Sequence, residues 1–262
     1  MKSITKFFLA IASLFIVIGL GISVYVMNEF NWDFSKLNTT QYNKVSYEIN
    51  DVFNSIEIDC NTIDIAIKPS SDDNYKVEVY ESDKIKYDVK VDENKLIINE
   101  IDERELIDYI GIKVFNNYLT LYVPNDKYES LNISITTGDL TIEDLSIDNI
   151  NLNFTTGDIY LNNINCNYLN IKGTTGDVYL NNVIVTNEMI IKNTTGDITL
   201  NKCDASYIKI NTTTGDIECI LLSNKNFIVS SVTGDYNVPS SIGESNCELT
   251  TTTGDIDVEI ED

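Results

Sequence analysis

A Thr-Gly-Asp triplet returns seven times in the C-terminal half of this chain, and its regularity limits the folds available. The glycines are Gly138, Gly157, Gly176, Gly196, Gly215, Gly234 and Gly254, at steps of 19, 19, 20, 19, 19 and 20 residues. Each is followed by an aspartate: Asp139, Asp158, Asp177, Asp197, Asp216, Asp235 and Asp255. A fixed period near twenty residues marks a solenoid, in which one unit buries its apolar face only by stacking on its neighbours. Laid over one another, the units have apolar columns two and four residues after the glycine, as at Ile159 and Leu161 or Ile256 and Val258. Tyr236 falls in the first of these columns and Cys219 in the second. Five and seven residues before the glycine the columns are again apolar, as at Ile133 and Leu131. Asn, Thr, Asp, Lys and Glu fill most positions between. Alternation of period two on both sides of the triplet predicts two short strands per unit, each with one face inward.

Alternation alone fits hairpins as well as a parallel coil, and the constant phase separates them. Parallel turns in register put like on like: an apolar column inside, threonine and aspartate columns outside. They also pair the backbone of each strand with the turns above and below. The expected fold is all-β, a single-stranded parallel β-helix of 19–20-residue rungs. Seven rungs at strand spacing give a rod about 30–35 Å long. The organisation that follows is a cytoplasmic tail over 1–6, a transmembrane anchor over 7–27, a linker over 28–44, an N-terminal β cap with a degenerate first rung over 45–130, and the solenoid over 131–262. Residues 45–262 would form one domain. In the degenerate rung, Thr62-Ile63-Asp64 takes the place of Thr-Gly-Asp, between Ile56, Ile58 and Cys60 on one side and Ile65 and Ile67 on the other. Lys76–Tyr80, Lys84–Val91, Lys95–Ile101, Ile112–Phe115 and Tyr118–Val123 are the strand candidates for the cap, which an exposed solenoid edge needs.

Lys2 and Lys6 precede twenty uncharged residues, Phe7 to Val26, enough to span a bilayer as a helix. The lysines before the span, with Glu29 and Asp33 after it, place the N-terminus inside and the rest of the chain outside the cytoplasm. Cleavage as a signal peptide is the alternative, with Gly21-Ile22-Ser23 a weak site for it. Trp32 and Phe34 suit the interfacial belt. The chain carries a net charge of −23; outside the two N-terminal lysines, 16 basic residues face 41 acidic ones, a balance of −25. That excludes nucleic acid as a partner and opposes docking onto anionic lipid.

Five cysteines in an exported chain suggest disulfides, but Cys60, Cys203, Cys219 and Cys247 fall in inward columns, and Cys166 shares the phase of Ile147, Val185 and Ala205. No two share a column on consecutive rungs, so they are expected to be small buried hydrophobes. The aspartate column admits two readings. Glycine supplies a positive φ and aspartate accepts hydrogen bonds from backbone amides of its own turn. Alternatively, Ca²⁺ bridges carboxylates of adjacent rungs. No other cofactor is expected. Catalysis has little to draw on: there is no histidine, Arg104 is the sole arginine, and the acids recur with the period as scaffold residues do. The run Asp102-Glu103-Arg104-Glu105 departs from the period, and it reads as a solvated face.

The N-terminal anchor, the β-rich entry with Tyr122-Val123-Pro124, and the serial Thr-Thr-Gly-Asp-Ile/Val units resemble the bacterial putative-adhesin family, a domain of unknown function in Gram-positive envelope proteins. The resemblance covers about residues 45–262 and implies a β-solenoid on an envelope protein; it brings no catalytic or ligand residues. The function expected is that of a non-catalytic, membrane-anchored module on the cell surface, binding cell-wall glycan or an envelope protein through its Asn/Thr/Asp faces. A structural or regulatory spacer in an envelope-stress system is the alternative, and a polysaccharide-processing β-helix enzyme a third. A concave patch of exposed tyrosines would favour the binding module.

Overall fold

The computed structural model describes residues 3–33, 40–105, 108, 117–240 and 243–261. The chain forms two compact units. One holds helix α1 (Ser3–Glu29), long and apolar enough to cross a membrane, whose most apolar stretch has a mean hydropathy of 2.6 and no buried residue. The helix closes where Asn31 and Trp32 take positive φ and the Trp32 amide donates to the Met27 carbonyl at 2.8 Å. Phe34, Asn38 and Thr39 lie outside the described residues.

The other unit is one continuous β structure. Its regular part consists of β8 (Lys127–Thr137), β9 (Leu140–Thr156), β10 (Ile159–Lys172), β11 (Val178–Lys192) and β12 (Ile198–Asn211), paired in parallel with like residues opposite one another, as in Ile159 against Leu140 and Val178. Here the two-strand expectation needs correction, because each turn has three stretches of alternation. In the rung of Gly157 the buried residues are Ile159 and Leu161, then Ile164 and Cys166, then Leu169 and Ile171. Two phase slips of one residue separate the pairs and turn the chain between faces. At the first slip Asp144, Asn163, Asn182 and Lys202 hold φ of 54–55°. Asp and Asn are the non-glycine residues that best tolerate that region, so three of these four corners have a local cause. The single 20-residue step inside this stretch, from Gly176 to Gly196, places its extra residue at the second slip, where Cys166 and Tyr168 face Val185 and Glu188. Six apolar side chains per rung, each contributing about 1.5–3 kcal/mol on burial, offset the ordering of some twenty residues only because every rung shares its core with two others.

The order of rungs in space differs from their order in the chain at both ends. After β13 (Ile217–Leu221) the chain passes to β14 (Lys225–Thr233) and β15 (Tyr236–Asn237), then returns through β16 (Ser245–Thr253) and β17 (Ile256–Ile260). The returning strands lie between the two earlier layers: β16 pairs with β12 and β14, and β17 with β13 and β15. The glycines therefore stack as 138, 157, 176, 196, 215, 254, 234. At the N-terminal end, β2 (Ser55–Thr62) and β3 (Asp64–Pro69) are likewise enclosed. On one side lie β6 (Lys95–Asp102) and β7 (Tyr118–Val123), on the other β8 and β9.

The cap expected at this end thus divides in two. β6 and β7 continue the parallel stack, whereas β1 (Asn43–Ile49), β4 (Tyr75–Glu81) and β5 (Ile85–Asp92) close it by antiparallel pairing of β1 with β4, β4 with β7 and β5 with β6. The expected strand Ile112–Phe115 lies outside the described residues. Tyr236, assigned to an inward column, is 62% exposed because its rung is the outermost at the far end.

Candidate functional site

The glycine corner can be built from its atoms. All seven repeat glycines have φ between 134° and 146°. A Cβ at Gly176 would stand 1.9 Å from the carbonyl oxygen of Gly157, so the rungs can approach only where no side chain intervenes. Beside each glycine the aspartate carboxylate accepts the backbone amide of the aspartate in the next rung. Starting from Asp64, Oδ1 caps Asp139 at 3.0 Å, and each later carboxylate caps its neighbour at 2.7–2.8 Å through Asp158, Asp177, Asp197, Asp216, Asp255 and Asp235. The bond runs between turns and not within its own turn, as the sequence reading had it. The positive-φ glycine brings consecutive corners close enough for a short side chain to reach across.

The row contains eight carboxylates, Asp64 included, although Ile63 there lacks the positive φ of the glycines. Among the described residues no group of three or more Cys, Asp or Glu side chains has the placement to hold a metal ion. Inside the same corner a polar column was not read from the sequence. Asn193 Nδ2 donates to the Gly176 carbonyl (2.7 Å), Thr251 Oγ1 to Gly215 (3.1 Å) and Ser231 Oγ to Gly254 (2.9 Å). These bonds satisfy carbonyls at the glycine corner.

The face following the glycines has one concavity that matches the tyrosine expectation. Between β7, β3 and the starts of β9 and β10 lies a depression of about 390 Å³. Ala66, Thr120 and Thr141 supply its small floor residues; Tyr118, Tyr122 and Tyr160 wall it, and Asp64, Asp139 and Lys68 contribute charge. The aromatic walls extend on both sides. Tyr160 stacks on Tyr179 with centroids 5.1 Å apart and planes at 9°. Tyr118 meets Tyr80 edge-on at 4.9 Å, and Lys76 stands 4.8 Å over the Tyr122 ring.

The aspartate ladder orients the Tyr160–Tyr179 pair. Tyr179 donates to Asp177 Oδ2 at 2.9 Å and Tyr160 to Asp158 Oδ2 at 3.3 Å. The bond to the carboxylate, helped by desolvation, pushes the Tyr179 hydroxyl up to about 12. Burial and Asp158 raise that of Tyr160. Tyr118 and Tyr122 stand outside the repeat columns. The β3–β7 pairing, which joins residues more than fifty positions apart, brings them beside Tyr160.

The remaining candidates are placed elsewhere. All five cysteines are buried and free. Desolvation pushes Cys203 up to about 11 and Cys166 and Cys247 to about 12, away from thiolate chemistry. Asp102 ends β6, and the Glu103 amide donates to the Lys84 carbonyl at 2.8 Å. These groups lie apart from the tyrosine depression.

Parallel rungs stacked in register define the general class as a β-solenoid. A family profile described as Toastrack DUF4097 matches residues 53–262, and the chain belongs to that family. A comparison with curated proteins finds no match. Among solved structures, one described as a putative adhesin from Bacteroides fragilis NCTC 9343 is 16% identical over 86% of this chain and 99% of that one, with a TM-score of 0.49. A putative cell adhesion protein from Clostridium sporogenes ATCC 15579 is 11% identical over 85% of this chain and 100% of that one, at 0.41.

Proposed function

We propose that this protein is a non-catalytic binding module, anchored by α1 with its β unit outside the cytoplasm, and that the tyrosine-walled depression takes cell-wall glycan. One observation carries this reading: Tyr118, Tyr122 and Tyr160 converge on a shallow floor of small residues, with carboxylates and Lys68 at the rim. Flat rings supply apolar stacking area to pyranose faces, and the rim groups offer hydrogen bonds to hydroxyls. The acidic surface is consistent with exclusion of nucleic acid. Residues 7–27 serve as the anchor, 28–44 as a linker and 45–262 as the binding domain in this reading.

The test is co-sedimentation of residues 28–262 with isolated cell-wall sacculi, in Ca²⁺ and in EDTA. The wild-type protein pellets in both, and Tyr122→Ala and Tyr160→Ala each weaken binding about tenfold, equivalent to ~1.4 kcal/mol. Pelleting confined to Ca²⁺ assigns the contact to the aspartate row in place of the tyrosines. No pelleting in either buffer rejects direct wall binding and leaves a protein partner or a spacer role.

A further inference from the structure

The members of the aspartate row differ in what meets their second oxygens. Each Oδ1 is taken by the amide of the next rung, as Asp64 by Asp139 at 3.0 Å and Asp139 by Asp158 at 2.8 Å. At Asp158 and Asp177 the other oxygen accepts the hydroxyl of the tyrosine two residues on, Tyr160 or Tyr179. After Asp64 and Asp139 that position holds Ala66 and Thr141, in register with Tyr160. Among the described residues no hydrogen bond or ion pair reaches the second oxygens of Asp64 and Asp139. Lys68, beyond Ala66 on the same strand, is paired with Glu143 at 3.3 Å and so does not neutralise them.

Aromatic rings gather at the same two carboxylates. Tyr118 lies opposite Asp64 in the β3–β7 register, and Tyr122 and Tyr160 complete the walls of the depression. The face of a tyrosine ring attracts cations, as Lys76 over Tyr122 already illustrates on this sheet. Farther along the row, Thr199, Glu218 and Asp257 occupy the position of Tyr160, so Asp197, Asp216 and Asp255 have no tyrosine there. Only in the depression do uncompensated carboxylates and ring faces coincide. A neutral sugar can offer such carboxylates hydroxyl bonds alone, and an anionic one is repelled. An ammonium group adds a charge-assisted bond and a cation–π contact. Building on the glycan reading above, we propose that the depression selects an amino-sugar glycan whose amines are free, with an ammonium group held between the tyrosine rings and the carboxylates of Asp64 and Asp139.

The full chain in non-ionic detergent micelles is titrated calorimetrically, at physiological ionic strength, with a chitosan tetramer and with the corresponding chitin tetramer. The two share backbone and ring faces and differ in whether the amine is free or acetylated. The free-amine tetramer is expected to bind about tenfold more tightly. Asp64→Asn/Asp139→Asn, which keeps the acceptors for the backbone amides, removes that preference. Asp216→Asn/Asp255→Asn, an adjacent pair in the same row without tyrosines, leaves it intact. Equal affinity of the wild type for the two tetramers overturns the selection for free amines without recourse to any variant; loss of both in Tyr160→Ala then leaves the depression a site for neutral glycan. A preference that survives in the Asp64/Asp139 variant, or falls as far in the Asp216/Asp255 variant, assigns it to the acidity of the whole surface and also overturns the proposal. Binding of neither tetramer rejects the glycan reading itself, and the free-amine ligand with it.

Discussion

Asp177 accepts two hydrogen bonds, from the Asp197 amide at 2.8 Å and from the Tyr179 hydroxyl at 2.9 Å. The first satisfies a backbone donor of the next rung; the second orients a ring of the candidate site. Asp177→Ala leaves that amide, which lies at the exposed corner, to water and is expected to lower stability by about 0.5–1.5 kcal/mol. Asp177→Asn keeps an acceptor oxygen and relieves repulsion along the row, so its cost should fall below that of alanine. Thermal melts of the two variants compare them directly, and equal losses would show that charge, not acceptance, matters at this corner.

Buried thiols give a second residue-scale expectation. Desolvation raises Cys203 from about 9 toward about 11, and Cys166 and Cys247 toward about 12. A folded pKa above the unfolded one means full stability below the unfolded value and loss as pH rises through the folded one. The melting temperature is therefore expected to fall between about pH 9 and 12. Cys166→Val, beside Val185 in the neighbouring rung, should flatten that decline.

Strands were legible to the extent that their causes are local. Columns such as Ile159, Leu161, Leu169 and Ile171 alternate with polar residues, and alternation is what half-buried strands require. The third face was missed because Ile164 and Cys166 lie out of phase with Leu161 by one residue, across a corner whose only mark is Asn163. The cross-rung role of the aspartates was hidden for a different reason. An aspartate beside glycine suits a cap within its own turn as well as one across the gap, and only the approach of Gly176 to Gly157 decides between them. The tyrosine site had no periodic signature, since β7 reaches β3 from outside the repeat. Packing inside the elements is equally specific. Gly173 leaves room for the ring of Phe154, whose Cζ would lie 2.0 Å from an added Cβ. Gly173→Ala is expected to cost about 1–3 kcal/mol, the range for overpacking, in denaturant melts.

Across the whole molecule, the exchanged rung order was not legible, because the units at Gly234 and Gly254 satisfy the same pattern. Only the exposed Tyr236 in an inward column marks the former as terminal. The exchange predicts a nonlocal effect of truncation. Removing residues 243–262 takes β16 and β17 from between two layers, so β14 and β15 lose their pairing although their own sequence is intact. Hydrogen exchange should then show loss of protection over 225–237, while 140–192 remains protected. Retained protection over 225–237 would mean that the outer layer can settle directly onto β12 and β13.

The enclosed rungs also decide how the molecule answers a mechanical load. A simple coil peels from its last turn, one ladder at a time and at low force. Here a pull on β17 meets ladders to β13 and β15 together, and β16 adds those to β12 and β14. At the opposite end β2 and β3 are held between two layers in the same way. Tension or exopeptidase digestion acting on the C-terminal side therefore begins against a doubly clasped strand. A pull from the N-terminal side first frees β1, held by β4 alone, and then meets the enclosed β2, the fastening of a belt tucked under its own loop.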